Sequence, residues 1–180
     1  VAGRKAWHAN PLNSQKQFYI AMDLLIREAT LDDAQLIADL TRAAWAGKVA
    51  LTSSGHRETA VVVAEHLQLG GGFILLADED PAGSVRWLPM DSDPSVWEVA
   101  RMGILPAYRG HSLSQYLLEA VIHRALASDV EELRIAVRSD QTRLLDLYAA
   151  YGFDPALALE YTHANPLEPA PTVMRRLLKY

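Results

Sequence analysis

Between Phe73 and Leu105 three strand-like runs follow one another across turns too short to hold a helix. The first two make up FILLADEDPAGSVRWLP, with an acidic turn centred on Asp80-Pro81 and Gly83 close behind. The third, SVWEVARMGIL (Ser95 to Leu105), follows the turn DSDP at Asp91 to Pro94. Strands joined this tightly pair antiparallel. At Pro106 the period changes. Beyond the loop Ala107 to Ser112, residues Leu113, Tyr116, Leu117, Ala120, Val121, Arg124 and Ala125 recur at helical spacing. LRIAV (Leu133 to Val137) is the next strand, and QTRLLDLYAAYG is a helix stopped by Gly152. Strands connected through a helix run parallel. An antiparallel meander that leads straight into a parallel crossover calls for one mixed sheet.

The flanking segments extend that sheet. LLIREA (Leu24 to Ala29) alternates apolar and polar residues and reads as a strand. TLDDAQLIADLTRAAWAG is a helix, with Thr30 as cap, acids at positions 32 and 33 in the first turn and Gly47 at the end. TSSGHRE (Thr52 to Glu58) is a loop, and Ser53 or Ser54 is placed to cap a second helix. That helix is ETAVVVAEHLQL, ended by Gly70 to Gly72, although Val61 to Val63 also suit a strand. Residues 153–161 and 172–179 read as two final strands around the Pro-rich loop HANPLEPAP. The expected order is β-α-α-β-β-β-α-β-α-β-β. The fold class is α+β: a single central mixed sheet of about six or seven strands, antiparallel in its first half, with helices on both faces. It forms one domain over residues 22–180, after an extension over residues 1–21. Gly103, inside the long strand, marks a bulge or a close backbone approach.

Composition removes several classes of function. The net charge of -5 gives no global positive field for nucleic acid. With no cysteine there is no disulfide, no thiolate zinc site and no cysteine nucleophile. The six histidines are scattered outside any HxxxH or HExxH pattern, so no metal is expected. No apolar run approaches the roughly 18 residues that span a membrane, and the N-terminal stretch lacks the apolar core of a secretory signal. A cytoplasmic protein is expected.

The stretch GILPAYRGHSLSQYLLEA (Gly103 to Ala120) holds the most specific chemistry. A helix N-terminus exposes about four unpaired amides and roughly half a positive charge. Arg109 and His111 add cationic character there, and Ser112 and Ser114 add hydroxyls. Two readings are open: a phosphate cradle, or plain capping by Ser112 with Arg109 solvated. The loop lacks the Gly-Lys-Ser/Thr of a P-loop and, with Gly110 alone, the dinucleotide fingerprint.

The longer stretch EVARMGILPAYRGHSLSQYLLEAVIHRAL, followed by LRIAV and LLDLYAAYGF, resembles the GNAT-type N-acetyltransferase superfamily. The pyrophosphate frame of that superfamily, Gln/Arg-x-x-Gly-x-Gly/Ala, falls on Arg109, Gly110, His111, Ser112, Leu113 and Ser114, with serine at the two nominal glycine positions 112 and 114. The resemblance implies acetyl-CoA as co-substrate. Its pyrophosphate would sit on the amides of residues 109–114. Its pantetheine arm would pair with the strand edge at Met102, Gly103 and Ile104, where the parallel strands splay. Gln141 falls where the family usually has Asn, and would bond the same arm.

The resemblance further implies transfer of acetyl to an amine of a small molecule or peptide. A primary amine arrives protonated at neutral pH, so a base is needed. Glu98 lies mid-strand in an apolar run, six residues before Ile104, the spacing of the general base in some histone-modifying members. Its other reading is an ion pair with Arg101 or Arg86. Tyr148 precedes AAYGF as the family tyrosine does, where the hydroxyl faces the coenzyme sulfur, so the resemblance makes it the acid that protonates the departing thiolate. Its other reading is a core tyrosine, and Tyr151 competes for the role. Without cysteine the transfer would be direct, in a ternary complex. His56, Arg57 and Glu58 are candidates for acceptor contact, and the loop over residues 163–171 for the opposite wall. Homodimers are common among similar proteins. Two alternatives share the fold: a non-catalytic acyl-CoA sensor, and a transferase of longer acyl chains.

Overall fold

The computed structural model describes residues 22–161 and 164–179. The expected extension over residues 1–21 and His163 lie outside the described residues. The elements follow the order read from the sequence: β1 (Leu24–Glu28), α1 (Ala34–Trp45), α2 (Ala60–Leu69), β2 (Gly71–Ala77), β3 (Asp80–Met90), β4 (Asp93–Ile104), α3 (Leu113–Ala127), β5 (Glu132–Val137), α4 (Arg143–Ala150), β6 (Asp154–Pro155) and β7 (Thr172–Leu177). They form one seven-stranded sheet in the order β1-β2-β3-β4-β5-β7-β6.

The meander β1 to β4 is antiparallel throughout. β4 and β5 are the parallel pair. β7 inserts between β5 and β6, antiparallel to both. The strands on either side of α4 therefore run in the same direction without touching. The strand expected over residues 153–161 shrinks to Asp154–Pro155, because after Pro155 the chain turns, with the Leu159 amide donating to the Ala156 carbonyl. The hairpin turn between β2 and β3 lies at Asp78 and Glu79, before the expected Asp80-Pro81. Both residues have positive φ (50° and 71°), the conformation that matches the right-handed twist of the flanking strands.

Alternation along β2 separates the two faces. Ile74 packs with Ile37, Ala38, Leu40 and Val63 beneath α1 and α2, while Phe73 and Leu75 join Leu117, Leu118, Val121 and Ile135 beneath α3. Burying each such Leu or Ile contributes about 1.5–3 kcal/mol. The Val-rich α2 is helical as expected, but its cap is Thr59, whose hydroxyl accepts from the Val62 amide. Ser53 caps the preceding single turn instead.

The pairing of β4 decides where a cleft forms. β4 and β5 pair only from Val96/Glu132 to Val99/Ile135. From Ala100 to Ile104 β4 is bonded to β3 alone. The register with β3 jumps between Ser84/Gly103 and Arg86/Ala100, so Arg101 and Met102 together oppose Val85. This is a β-bulge, and Arg101 takes a φ of +56° in it. Gly103 plays the other expected role. A Cβ there would lie 2.9 Å from Ala44 Cβ and 3.3 Å from Trp45 Nε1, so α1 can pack against β4 only over a glycine.

Candidate active site

A cleft of about 400 Å³ opens where β4 leaves β5. Its floor is the β4 segment from Val99 to Ile104, and its far wall is Ile135, Ala136, Leu144, Leu147 and Tyr148. The loop into α3 closes one end. There Gly110 (φ +88°) and Ser112 (φ +56°) both adopt left-handed backbone. For serine that conformation costs about 1–2 kcal/mol, and it occurs at one of the nominal glycine positions. Ser112 makes no side-chain cap to α3, which removes the plain capping reading. Among the described residues nothing accepts from the amides of residues 110–114. The first turn of α3 thus presents open donors.

Cations gather at this end. Lys48, Arg109 and Arg143 all line the cleft. Burial, then the Arg109 and Arg143 charges, pull the Lys48 ammonium below its ordinary pKa. An anion bound among them would relieve that repulsion. Arg109 is held in place rather than solvated: Nη2 donates to the Ala44 carbonyl at the end of α1 (2.6 Å), and Nε donates to the Ile104 carbonyl (3.3 Å). Gln141 reaches toward the Lys48 carbonyl at 3.4 Å.

Of the expected residues, Met102, Gly103, Ile104, Arg109, Gly110, Ser112, Leu113, Ser114, Gln141 and Tyr148 share this one cleft. His111 does not reach it and is exposed. Tyr148 is buried, with its ring tilted against Phe153. Burial pushes its phenol up to about 12, so it remains a hydrogen-bond donor at every physiological pH. Tyr151 faces away, its hydroxyl donating to Glu119 on α3 at 2.9 Å.

The other end of the cleft is polar. Glu98 is buried, but it lines a small adjoining pocket and not the cleft itself. Between them stands Tyr161, which lines both and is hydrogen-bonded to the Glu98 carboxylate. Burial first, then the Glu98 charge, push the Tyr161 phenol up to about 12. The two arginines expected beside Glu98 pair with Glu58 instead, through Arg86 Nη2 at 2.7 Å and Arg101 Nε at 2.9 Å. His56, Arg57 and Glu58, expected as acceptor contacts, do not line the cleft. From that loop, Ser53 and Ser54 line the cleft, while Glu58 is buried behind it.

Sequence reasoning missed Tyr161, which it placed in an ordinary strand, along with Lys48 and Arg143. The loop expected as the opposite wall does line the cleft, through Ala164, Asn165, Glu168, Pro169 and Pro171, and it forms an unforeseen clasp across the mouth. Glu168 accepts from Thr52 Oγ1 and from Arg138 Nη2 (2.6 Å), and Asn165 Nδ2 donates to the Thr52 carbonyl (3.3 Å). A signal was available for the ion cluster. Arg86 and Arg101 each interrupt an apolar strand, and a buried arginine requires a buried carboxylate.

The family model for acetyltransferases of the GNAT family matches residues 37–153. No curated protein matches the sequence. Several solved structures share the fold. A GNAT-family acetyltransferase from Streptococcus pneumoniae is 20% identical, with a TM-score of 0.66 over 87% of this chain and 100% of that one. The PaiA N-acetyltransferase from Thermoplasma acidophilum, in complex with coenzyme A, is 15% identical, with a TM-score of 0.66 over 87% and 99%. The ribosomal-protein-S18-alanine N-acetyltransferase from Escherichia coli is 15% identical, with a TM-score of 0.69 over 88% and 96%.

Proposed function

The chain belongs to the GNAT family of acetyltransferases, and from that premise we propose that it transfers the acetyl group of acetyl-CoA directly to an amine of a small molecule or peptide within a ternary complex. The observation that carries this reading is the meeting, in one cleft, of open amides at the start of α3 and a β4 edge without a neighbour. The amides of residues 110–114, with Lys48, Arg109 and Arg143, suit a diphosphate. The β4 edge suits an amide-bearing arm that pairs as an extra strand, with Gln141 beside it.

The chemistry divides between two tyrosines. Tyr148 donates a hydrogen bond to the departing sulfur. A phenol near 12 is a weaker acid than a thiol of pKa about 8.5, so its role is to stabilise charge on sulfur. The ammonium sheds its first proton to solvent and attacks as the neutral amine; as the adduct collapses, Glu98 takes the second N–H proton through Tyr161 while CoA leaves as the thiolate. The phenol oxygen accepts the amine proton as the phenol hydrogen passes to the carboxylate, leaving Tyr161 neutral throughout.

Thiol release from acetyl-CoA across a panel of amines tests the reading. Release that Glu98→Gln and Tyr148→Phe both suppress supports it. A clear rise in melting temperature with CoA but no release with any amine would instead favour a non-catalytic sensor.

A further inference from the structure

Arg101 is a tethered side chain of the cleft. It sits in the β4 bulge with left-handed backbone, φ +56°, a conformation that a residue with a Cβ adopts at a cost. Its guanidinium is then fixed from three directions. Nε donates to Glu58 at 2.9 Å, Nη2 donates to Ser54 Oγ at 2.6 Å, and the group lies over the Trp45 ring at 5.2 Å. Glu58 is fixed in turn by the fully buried Arg86, which also donates to His66 Nδ1 at 3.0 Å. A guanidinium carries five N–H donors, and these bonds occupy two. Nη1 makes no bond among the described residues. Arg101 also lines the cleft, and its side chain is 22% exposed.

The charges around it are matched unevenly. Glu58 serves two guanidiniums, while Glu168 is taken up by Arg138 and Glu98 is bonded to Tyr161. The polar end of the cleft therefore offers a cation on one side, at Arg101, and a carboxylate behind a phenol on the other. A ligand that complements both carries an anion and an amine.

We infer that the acceptor is a small amine that also bears a carboxylate, an amino-acid-like zwitterion, whose carboxylate is received by Arg101 while its amine faces Tyr161. This rests on the acetyltransferase reading of the cleft. Arg101 is a specificity-determining residue: it orients the acceptor and takes no part in the proton transfer. The planar fork matches a carboxylate in two parallel bonds, and its tethers remove the entropy that a free arginine would lose on binding.

The test compares acetyl-CoA thiol release on amino acids and on their own carboxamides, for the unmodified protein, Arg101→Asn and Arg101→Lys. Asparagine is chosen because it tolerates left-handed backbone. The expected result is a kcat/KM roughly tenfold or more in favour of the acids. In Arg101→Asn that ratio falls toward one through a rise in KM for the acids. In Arg101→Lys, which keeps the charge and loses the fork, it is intermediate. Melting curves establish that each variant is folded, and Arg101→Lys carries the comparison should the asparagine variant not fold. Equal rates on acids and amides, or a preference that survives loss of Arg101, overturn the inference and leave the acetyltransferase reading standing. No release with either series from folded protein overturns the inference, and only silence across the wider amine panel as well overturns the acetyltransferase reading.

Discussion

Replacing Glu58 by glutamine will strip Arg86 of its counter-charge and destabilise the protein severely. The side chains of Arg86 and Glu58 are 0% and 2% exposed, and Arg86 Nε already lacks a partner among the described residues. Burial pulls Arg86 below its ordinary pKa, and the Glu58 carboxylate offsets that pull. Arginine does not give up its proton in such sites, so Glu58→Gln leaves a buried, uncompensated cation. Breaking a buried pair from one side costs about 3–5 kcal/mol, a large part of the roughly 5–15 kcal/mol that holds a domain folded. At about 2–4 °C per kcal/mol for a chain of this size, the melting temperature falls by roughly 6–20 °C. Urea unfolding followed by tryptophan fluorescence measures the loss, since buried Trp87 stacks on the half-buried Trp97. The double variant Glu58→Gln/Arg86→Met should recover most of it, because removing both charges is close to neutral where apolar atoms fill the space. A loss below about 1 kcal/mol in the single variant, or a double variant no more stable than the single, would refute the account of Arg86 as a cation stabilised by one carboxylate.

Three further outcomes are expected. Tyr148→Phe should lower kcat by roughly 10² with little change in KM for acetyl-CoA, as for loss of one donor to developing charge; steady-state kinetics decide it. Arg109→Ala should weaken CoA more than it weakens a pantetheine fragment without phosphates, by calorimetry, and equal losses would remove Arg109 from the phosphate site. Stability should fall as pH rises through about 10 toward 12. Tyr148 and Tyr161 titrate near 12 in the fold and near 10 when unfolded, so over that window the native state binds more protons than the unfolded one. Denaturant midpoints that stay level across it, or that fail to flatten in Tyr148→Phe, would count against buried phenols.

Period and punctuation made most of the sheet legible. The change from strand to helical spacing at Pro106 located the parallel pair, and the glycine at 103 marked the approach of α1. What local pattern could not supply was the partner of each buried charge. Arg86, Arg101 and Glu58 are separated by 15 to 43 residues in sequence, and whether Glu98 or Glu58 takes the arginines depends on which loop folds over the sheet. Tyr161 escaped for a related reason. A strand that shortens to Asp154–Pro155 frees the chain to lay a tyrosine across the cleft, and no periodicity announces that shortening. The turn at Asp78 and Glu79 was misplaced by two residues because proline and glycine are stronger turn signals than the acids before them, yet here Pro81 lies within β3 beside a register shift.

The insertion of β7 has a bearing on how the molecule is made. Val173 and Met174 fill the gap between β5 and the short β6, so the wall of the cleft formed by Ile135 and Ala136 is backed by a strand made after every other described element. A nascent chain that ended after Gly152 would present β5 as a bare apolar edge, open to pairing with a neighbour. Assembly of the cleft therefore waits on synthesis of Thr172–Leu177, and fragments cut before Thr172 are the ones to watch for aggregation.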